Sequence, residues 1–509
     1  MKASNRIVVN TLVQYARTLI NLVLSLYSAR LVLDILGIQD YGIYSLIAGV
    51  VSMLSFLTNS LVGSTQRFLS VHQGRGDIEN LKNVFGNSLL LHILLGFIIF
   101  IILESLTPFL FNGFLNISPE RVDAASMVYQ LVILMVYISF VAAPYRALLV
   151  SRENIVYISV IDVLDGVFKV VFVLLLPFIL VDKLIAYGWI MIAIHLINLL
   201  SYAVYDHWKY EECVFPKWSK FDVEYIKELS SFTGWITYST LCIALRNQGV
   251  AVVLNKMMGA AINAAYGVGL QICGMVSFVS TSFSNAVAPQ LMAAEGNGDR
   301  NHMWVLAEIE SKFSFLLLAM VGIPTIFEMQ SILEIWLVEV PESTMLFGST
   351  FLLMQIVDML TTGLALANKA MGKIGKYTLI TYTPKLFVLP AGWVMLNVGW
   401  SVWTVCFLMI VIEAICMFLR LMLFVGFQGF NAGLFIRNVM LRSIPPVIVA
   451  CTCCWTIQIY INFPCRFLLT FILSISLFIC TAYYCSFNSI EQAKVDNILS
   501  YVKYKIFKK

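Results

Sequence analysis

SFLTNSLVGSTQRFLSVHQGRGD, from Ser55 to Asp77, returns further along the chain as SFVSTSFSNAVAPQLMAAEGNGD, from Ser277 to Asp299. The two stretches align without a gap. They share, among others, Ser55/Ser277, Phe56/Phe278, Gly74/Gly296, Gly76/Gly298 and Asp77/Asp299, and upstream Gly37 and Gly259 hold the same spacing. Each copy reads as a helix followed by a G-x-G-D turn, where glycine serves because it accepts positive φ. The turn reads as structural rather than ligand-binding. An even number of apolar runs, about six of the ~20 residues that cross a bilayer, separates the copies. An even number returns the chain to the same side, so the copies share one orientation and form a parallel repeat about an axis normal to the membrane.

Composition agrees with a membrane setting. The chain has 509 residues, of which 60% are hydrophobic and only 12% charged, with a mean hydropathy of +0.86. A soluble domain is nearer 45–50% apolar and about 25% charged. A net charge of +4 is too small to point to nucleic acid. The first apolar run, Ile7 to Leu33, is too long for a signal-peptide core and lacks an A-x-A site, so it reads as the first membrane helix. About fourteen runs are long enough to span. The expected fold is an all-α polytopic membrane protein: two six-helix lobes around a central cavity, plus two C-terminal helices. The expected divisions are a lobe over 1–206, a cytoplasmic linker over 207–229, a second lobe over 230–428, and two helices with a basic tail over 429–509. Phe221 to Leu229 reads as a short interfacial helix. Such a duplicated cavity suits alternating access rather than a pore.

The positive-inside rule sets the orientation. With Lys2 and Arg6 in the cytoplasm, most Lys and Arg fall on cytoplasmic loops. The tail (Lys494, Lys503, Lys505, Lys508 and Lys509) falls there too, while outer loops hold acids such as Asp34, Asp40, Glu334, Glu339 and Glu342. Both termini are expected inside. The cysteines lie mostly in apolar runs, and Cys451, Cys453 and Cys454 read as packed or lipid-facing thiols rather than metal ligands or a disulfide.

Polar residues inside the spans mark the candidate site. Asn10, Gln14, Arg17, Asn21 and Ser28 fall on one face of the first helix, and such a face must meet protein or water. The seventh span repeats the pattern with Thr233, Thr237, Thr240, Asn247, Gln248 and Asn255, with Arg246 beside them. The second and eighth spans add Ser52, Asn59, Gln66, Gln271, Ser284 and Asn285. A charge at mid-membrane costs about 2.5–3.5 kcal/mol on insertion scales, so each needs a partner, water or a function. Arg17 and Arg246 have no acid within one turn, and read either as cavity cations or as residues paired across helices. Lys385, after the kink-prone Pro384, is similar. Asp162, Asp165 and Lys169 lie a turn apart and read as an ion pair or a coupling-ion site. Asp358 and Glu413 read as partners for these cations or as ion sites, and His92 and His195 as packed histidines. A cavity rich in arginine and amides suits an anion, because guanidinium meets phosphate with two parallel hydrogen bonds. The candidate substrate ligands are therefore Arg17, Arg246, Gln14, Asn21, Asn247, Gln248 and Lys385. No catalytic residue and no metal ligand stands out.

The opening stretch resembles polysaccharide transporters. Its Leu36–Gly37, Asp40–Leu46 (DYGIYSL) and Thr65–Ser70 (TQRFLS) elements are similar to those of Wzx-type O-antigen flippases of the multidrug/oligosaccharidyl-lipid/polysaccharide exporter superfamily. The resemblance implies a non-enzymatic carrier of undecaprenyl-pyrophosphate-linked oligosaccharide across the bacterial inner membrane. It also implies functional cations in the cavity, no cofactor beyond coupling to H⁺ or Na⁺, and partners limited to the lipid-linked glycan, membrane lipids and other assembly proteins. A monomer is expected, since the cavity lies within one chain. A multidrug exporter of the same superfamily is the alternative, kept open by Asp162, Asp165 and Asp358. A membrane polymerase or ligase fits less well, because the outer loops are short.

Overall fold

The computed structural model describes residues 3–52, 55–111, 117–216, 222–337 and 340–496, except 462, 464, 490, 494 and 495. Lys2, Glu339 and the tail lysines from Lys494 onward lie outside the described residues. Every regular element among those described is helical.

The duplicated glycines adopt the same backbone in both copies. Helix α1, Ala3–Ser52, is interrupted by Gly37, at φ 78° and ψ 168°. That glycine separates the first expected membrane helix, Ile7 to Leu33, from the next apolar run, which leads to α2, Ser55–Arg75. In the second copy Gly259, at φ 91°, separates α7, Val223–Met258, from α8, Ala260–Gly296. Gly76 and Gly298, at φ 71° and 77°, turn the chain after α2 and α8. A side chain held at such angles costs about 1–2 kcal/mol. After Gly76, Asp77 caps α3, Ile78–Ser105: the Asn80 amide donates to Asp77 Oδ1 at 3.1 Å, which holds that carboxyl below its usual range. Residues 223–229 form the first turns of α7, a correction to the separate interfacial helix expected there.

The chain divides into two compact units, Met1–Thr240 with Ala288–Asp299, and Leu241–Val287 with Arg300–Lys509. In the first, α4, Val122–Ser151, packs against α1, α2, α3 and also α6, Lys183–Lys209. It passes through Pro144 unbroken and buries Ile133, Phe140 and Leu148 completely. Apolar residues on every face of α4 explain its central place. Helix α5, Ile155–Leu175, packs on α1. Gly166 permits the approach, since a Cβ there would lie 2.9 Å from Leu24 Cδ1. Within this unit the ends of the duplicated helices also meet. Gly74 lies against the Ala293 carbonyl and Gly296 against the Val71 carbonyl, and a Cβ at either glycine would overlap that oxygen.

In the second unit the central helix is α9, Arg300–Phe327. Around it lie α10, Thr344–Met359, α11, Thr362–Met371, α15, Arg442–Tyr460, and α16, Arg466–Thr481. Helices α10 and α11 meet at 51°. The run expected as one span over 377–398 is found as one, Ile374–Asn397, with a local tightening inside it. Pro384 starts a 3₁₀ turn, Thr383–Phe387, between α12, Ile374–Tyr382, and α13, Val388–Asn397. Helix α14, Val402–Phe424, packs on α10, α12 and α13. On α16, Arg466 donates to both Glu328 carboxylate oxygens at 3.0 and 3.1 Å and Thr470 donates at 2.8 Å, which ties α16 to the end of α9.

Among the described residues, ten helices are long and apolar enough to cross a membrane, or eleven if the bent α10–α11 pair is one span. The expectation of about fourteen spans exceeds this. The difference falls on α2, α5 and α7, which are 21, 21 and 36 residues long. They are long enough but carry polar and charged side chains, including Gln66, Asp162, Asp165, Lys169 and Arg246.

Candidate functional site

Most of the polar-span charges singled out above fall into two networks, one in each unit, and among the described residues each cation in them lies near a carboxylate. In the first unit Asp162, on α5, is shared by two arginines. Arg17 Nη1 from α1 donates to Asp162 Oδ2 at 2.7 Å. Arg146, from α4, donates through Nη1 to Oδ1 and through Nη2 to Oδ2, each at 3.1 Å. Arg17 is thus paired across helices, one of the two readings its sequence allowed. Arg146 was missed by sequence reasoning. It sits near the end of its span and counts there as a cytoplasmic loop residue, although it lies more than a turn inside α4. Within the expected group of Asp162, Asp165 and Lys169 the contacts differ, although both carboxylates act on Arg146. Asp165 accepts from Asn198 of α6 at 2.6 Å and is the charge that acts on Lys169, while Asp162 faces the arginines.

Arg146, Asp162, Asp165 and Asn198 wall an open cavity of about 470 Å³, which Asn21, Asn59, His195 and Tyr202 also line; Arg17 and Lys169 are not among its lining residues. The Tyr202 hydroxyl donates to Asp162 Oδ1 at 3.3 Å, and His195 Nδ1 lies 2.9 Å from the Met191 carbonyl. Side chains here stay in partial contact with solvent: Arg17 is 19% exposed, Asp162 21% and Arg146 38%. Three cations, Arg17, Arg146 and Lys169, stand against two carboxylates. Two guanidiniums sharing one carboxylate leave N–H donors over, since each guanidinium carries five. On the lining itself Arg146 stands beside Asp162 and Asp165, with amide and hydroxyl groups around them. Gln14 is buried on the same helix as Arg17 but does not line this cavity.

In the second unit the arrangement is inverted, and its Lys385–Glu413 centre is dry although Asp358 is 23% exposed. Lys385, from the turn after Pro384, donates to Glu413 of α14 at 2.5 Å and lies 3.7 Å from Asp358 of α10. Arg246, from α7, donates to the other Glu413 oxygen at 3.0 Å and to Asn247 at 3.0 Å. Arg420, also missed in sequence, pairs with Asp358 at 2.7 Å and is fully buried. Lys385 and Glu413 are 4% and 3% exposed. Of the expected ligands on α7, Arg246 is thus buried against Glu413, while Gln248 is exposed. Ser284, expected to line a cavity, instead donates to Glu310. Away from the networks, His92 is buried with Nδ1 2.6 Å from the Ser88 carbonyl, and Cys454 is packed in a core with Phe315 and Leu318.

On the outer side of the first unit, as oriented by sequence, Arg121 bridges Asp40 and Asp182 at 2.5 Å each. The Arg121 hydrogen bond, together with the α6 cap amides of Leu184 and Ile185, holds the Asp182 carboxyl below its usual range.

A MATE transporter in its bent conformation is similar with a TM-score of 0.72 at 14% identity, over 82% of this chain and 94% of that one. An outward-facing multidrug resistance MATE transporter of the MOP superfamily gives 0.68 at 14% identity, over 86% and 97%. A MOP superfamily transporter from Pyrococcus furiosus, described as having a binding pocket of reverse polarity that suggests a different function, gives 0.69 at 13% identity, over 82% and 94%. The fold is that of a multi-pass transporter of the MOP superfamily. Residues 5–294 match the model of the polysaccharide biosynthesis protein family, and the chain belongs to that family. This agrees with the resemblance to polysaccharide transporters read from Leu36 to Ser70. No curated protein matches the chain.

Proposed function

We propose that this protein is a flippase that moves undecaprenyl-pyrophosphate-linked oligosaccharide, an O-antigen or capsule repeat unit, across the bacterial inner membrane by alternating access. The observation that carries the reading is the Asp162 carboxylate shared by Arg17 and Arg146 at the wall of a polar cavity. The spare N–H donors of Arg17 and Arg146 suit a pyrophosphate, and the amides, tyrosine and carboxylates of the lining suit sugar hydroxyls. Membership of the polysaccharide biosynthesis family supports the same substrate class. In this reading α2, α5 and α7 also cross the bilayer, with their polar residues turned to protein or water, and both termini are cytoplasmic. Arg17, Arg146 and Asn21 are first-contact ligands. Gln14, Arg246, Asn247, Gln248 and Lys385 support the path, and H⁺ or Na⁺ drives the cycle of a monomer.

A multidrug exporter is the second reading, favoured by the cavity carboxylates Asp162 and Asp165. Lipid extracts from cells lacking the protein separate the two. Accumulation of the lipid-linked unit with loss of surface polymer is the expected result. Unchanged glycans with new sensitivity to cationic drugs would turn the assignment to the exporter.

A further inference from the structure

Glu310 is a charged residue type that neither network uses. It lies on α9, three turns from the Arg300 end, and is fully buried. Its hydrogen bonds are lopsided. Ser284 of α8 donates to Oε1 at 2.5 Å and Ser314 donates to the same oxygen at 3.1 Å, while Oε2 is buried with no hydrogen-bond partner among the described residues. No Lys, Arg or His lies within ion-pair distance of it among those residues.

An ionised carboxylate spreads its charge over both oxygens and accepts at each. Leaving one anionic oxygen bare in an apolar interior costs several kcal/mol. A protonated carboxyl has one carbonyl-like oxygen that accepts and one neutral hydroxyl, which costs less to leave unpaired than an anionic oxygen. Two donors on Oε1 and none on Oε2 is the pattern of the protonated form. The other charges on the elements around α9 are already engaged. Asp358 is held by Arg420 and Lys385, Lys312 by Glu491, Arg466 by Glu328, and Glu308 by Asn438. Of the charges nearby, Asp358 and Lys369, which flank the 51° break between α10 and α11, act on Glu310. Arg437 and Arg442, on the segment leading into α15, are the remaining cations against α9, and Arg442 acts on Lys312. The break brings an interrupted helix beside the carboxyl: the Gly363 amide at its start donates to Ser311 Oγ at 2.9 Å, one residue along from Glu310.

We propose that Glu310 is a proton-binding site of the transporter, protonated in this conformation and returning its proton to water in another, so that the proton is the coupling ion. The inference needs only that the chain is a transporter and stands whichever substrate it carries.

The test is infrared difference spectroscopy of the full-length protein in lipid nanodiscs between about pH 5 and about pH 9, for wild type and Glu310→Gln. The expected result is a neutral-carboxyl C=O band that titrates across this range in wild type and is lost in the glutamine variant. A spectrum unchanged by Glu310→Gln, or a Glu310 band that does not respond to pH, would overturn the proposal. If Glu310→Gln does not fold, Ser284→Ala and Ser314→Ala serve in its place: each removes a donor to Oε1 and must shift the band, and a band unmoved by both overturns the assignment. No substrate enters the measurement, so its failure is separate from a failure of the flippase reading, which is read from lipid extracts.

Discussion

The two units solve one problem in opposite ways. Each holds three cations against two carboxylates inside apolar helices. In the first, an acid, Asp162, sits between two arginines, and Asp162 and Arg146 line a cavity. In the second, a base, Lys385, sits between two acids, and Lys385 and Glu413 at its centre are sealed while Asp358 at its edge is 23% exposed. The difference is in what each can exchange. Around Asp162 an incoming anion competes with one carboxylate in partial contact with water. Around Lys385 any exchange exposes a charge that has no solvent to receive it. The first network suits a ligand, and the second suits a fixed joint between α7, α10 and α14.

The sharpest way to break this comparison is to remove the central anion from each. Glu413→Ala should destabilise the protein by about 3–5 kcal/mol, since it strands Lys385 and Arg246 in a dry interior. Asp162→Ala should cost about 1 kcal/mol or less, because its arginines reach water. Melting curves of the two purified variants decide it, and equal losses would end the distinction. Next in size is transport. Arg17→Ala and Arg146→Ala should each leave insertion intact and lower surface polysaccharide by on the order of tenfold or more, the scale of a lost charge-assisted contact of about 1.5–3 kcal/mol. Arg246→Ala, measured alongside, should lower the amount of folded protein as well. Wild-type export by both Arg17→Ala and Arg146→Ala would remove the Asp162 wall from the substrate path.

The smallest effect isolates burial itself. Arg121 between Asp40 and Asp182 repeats the pattern of a base between two acids, but in contact with solvent. Asp182 has a folded pKa below its unfolded value of about 3.9. Its contribution is therefore complete above about pH 4 and disappears as the pH falls through the folded value. Asp182→Asn should lower the melting temperature slightly at about pH 6, by less than about 1 kcal/mol, and not at all once wild type is fully protonated. A loss as large as that of Glu413→Ala would show that geometry, rather than burial, sets the cost.

The sequence makes the membrane fold, the duplication and the polar stripe of α1 legible, because helix period and hydropathy are local properties. The pairings are not local. Arg17 meets Asp162 because Gly166, one turn further on α5, lets α1 come close, and only the packed structure relates those residues. Arg146 and Arg420 lie near helix ends and read as loop cations until their burial is seen. Pro384 announces the 3₁₀ turn after α12, yet the 51° break before α11 falls in DMLTTG, Asp358 to Gly363, which contains no proline. Glu310 hides in the AEIESK stretch, Ala307 to Lys312, which reads as the wet start of a helix.

The crossing of Gly74 on Ala293 and of Gly296 on Val71 ties the two halves of the gene product together at the level of inheritance. Val71 and Ala293 occupy equivalent places in the repeat, as do the two glycines, so each copy supplies both the notch and the ridge that the other needs. A bulkier residue at either notch has no compensating change within its own copy, because the obstacle is a main-chain oxygen that no substitution removes. Sterics alone thus account for the two glycines that help this stretch to read as a repeat.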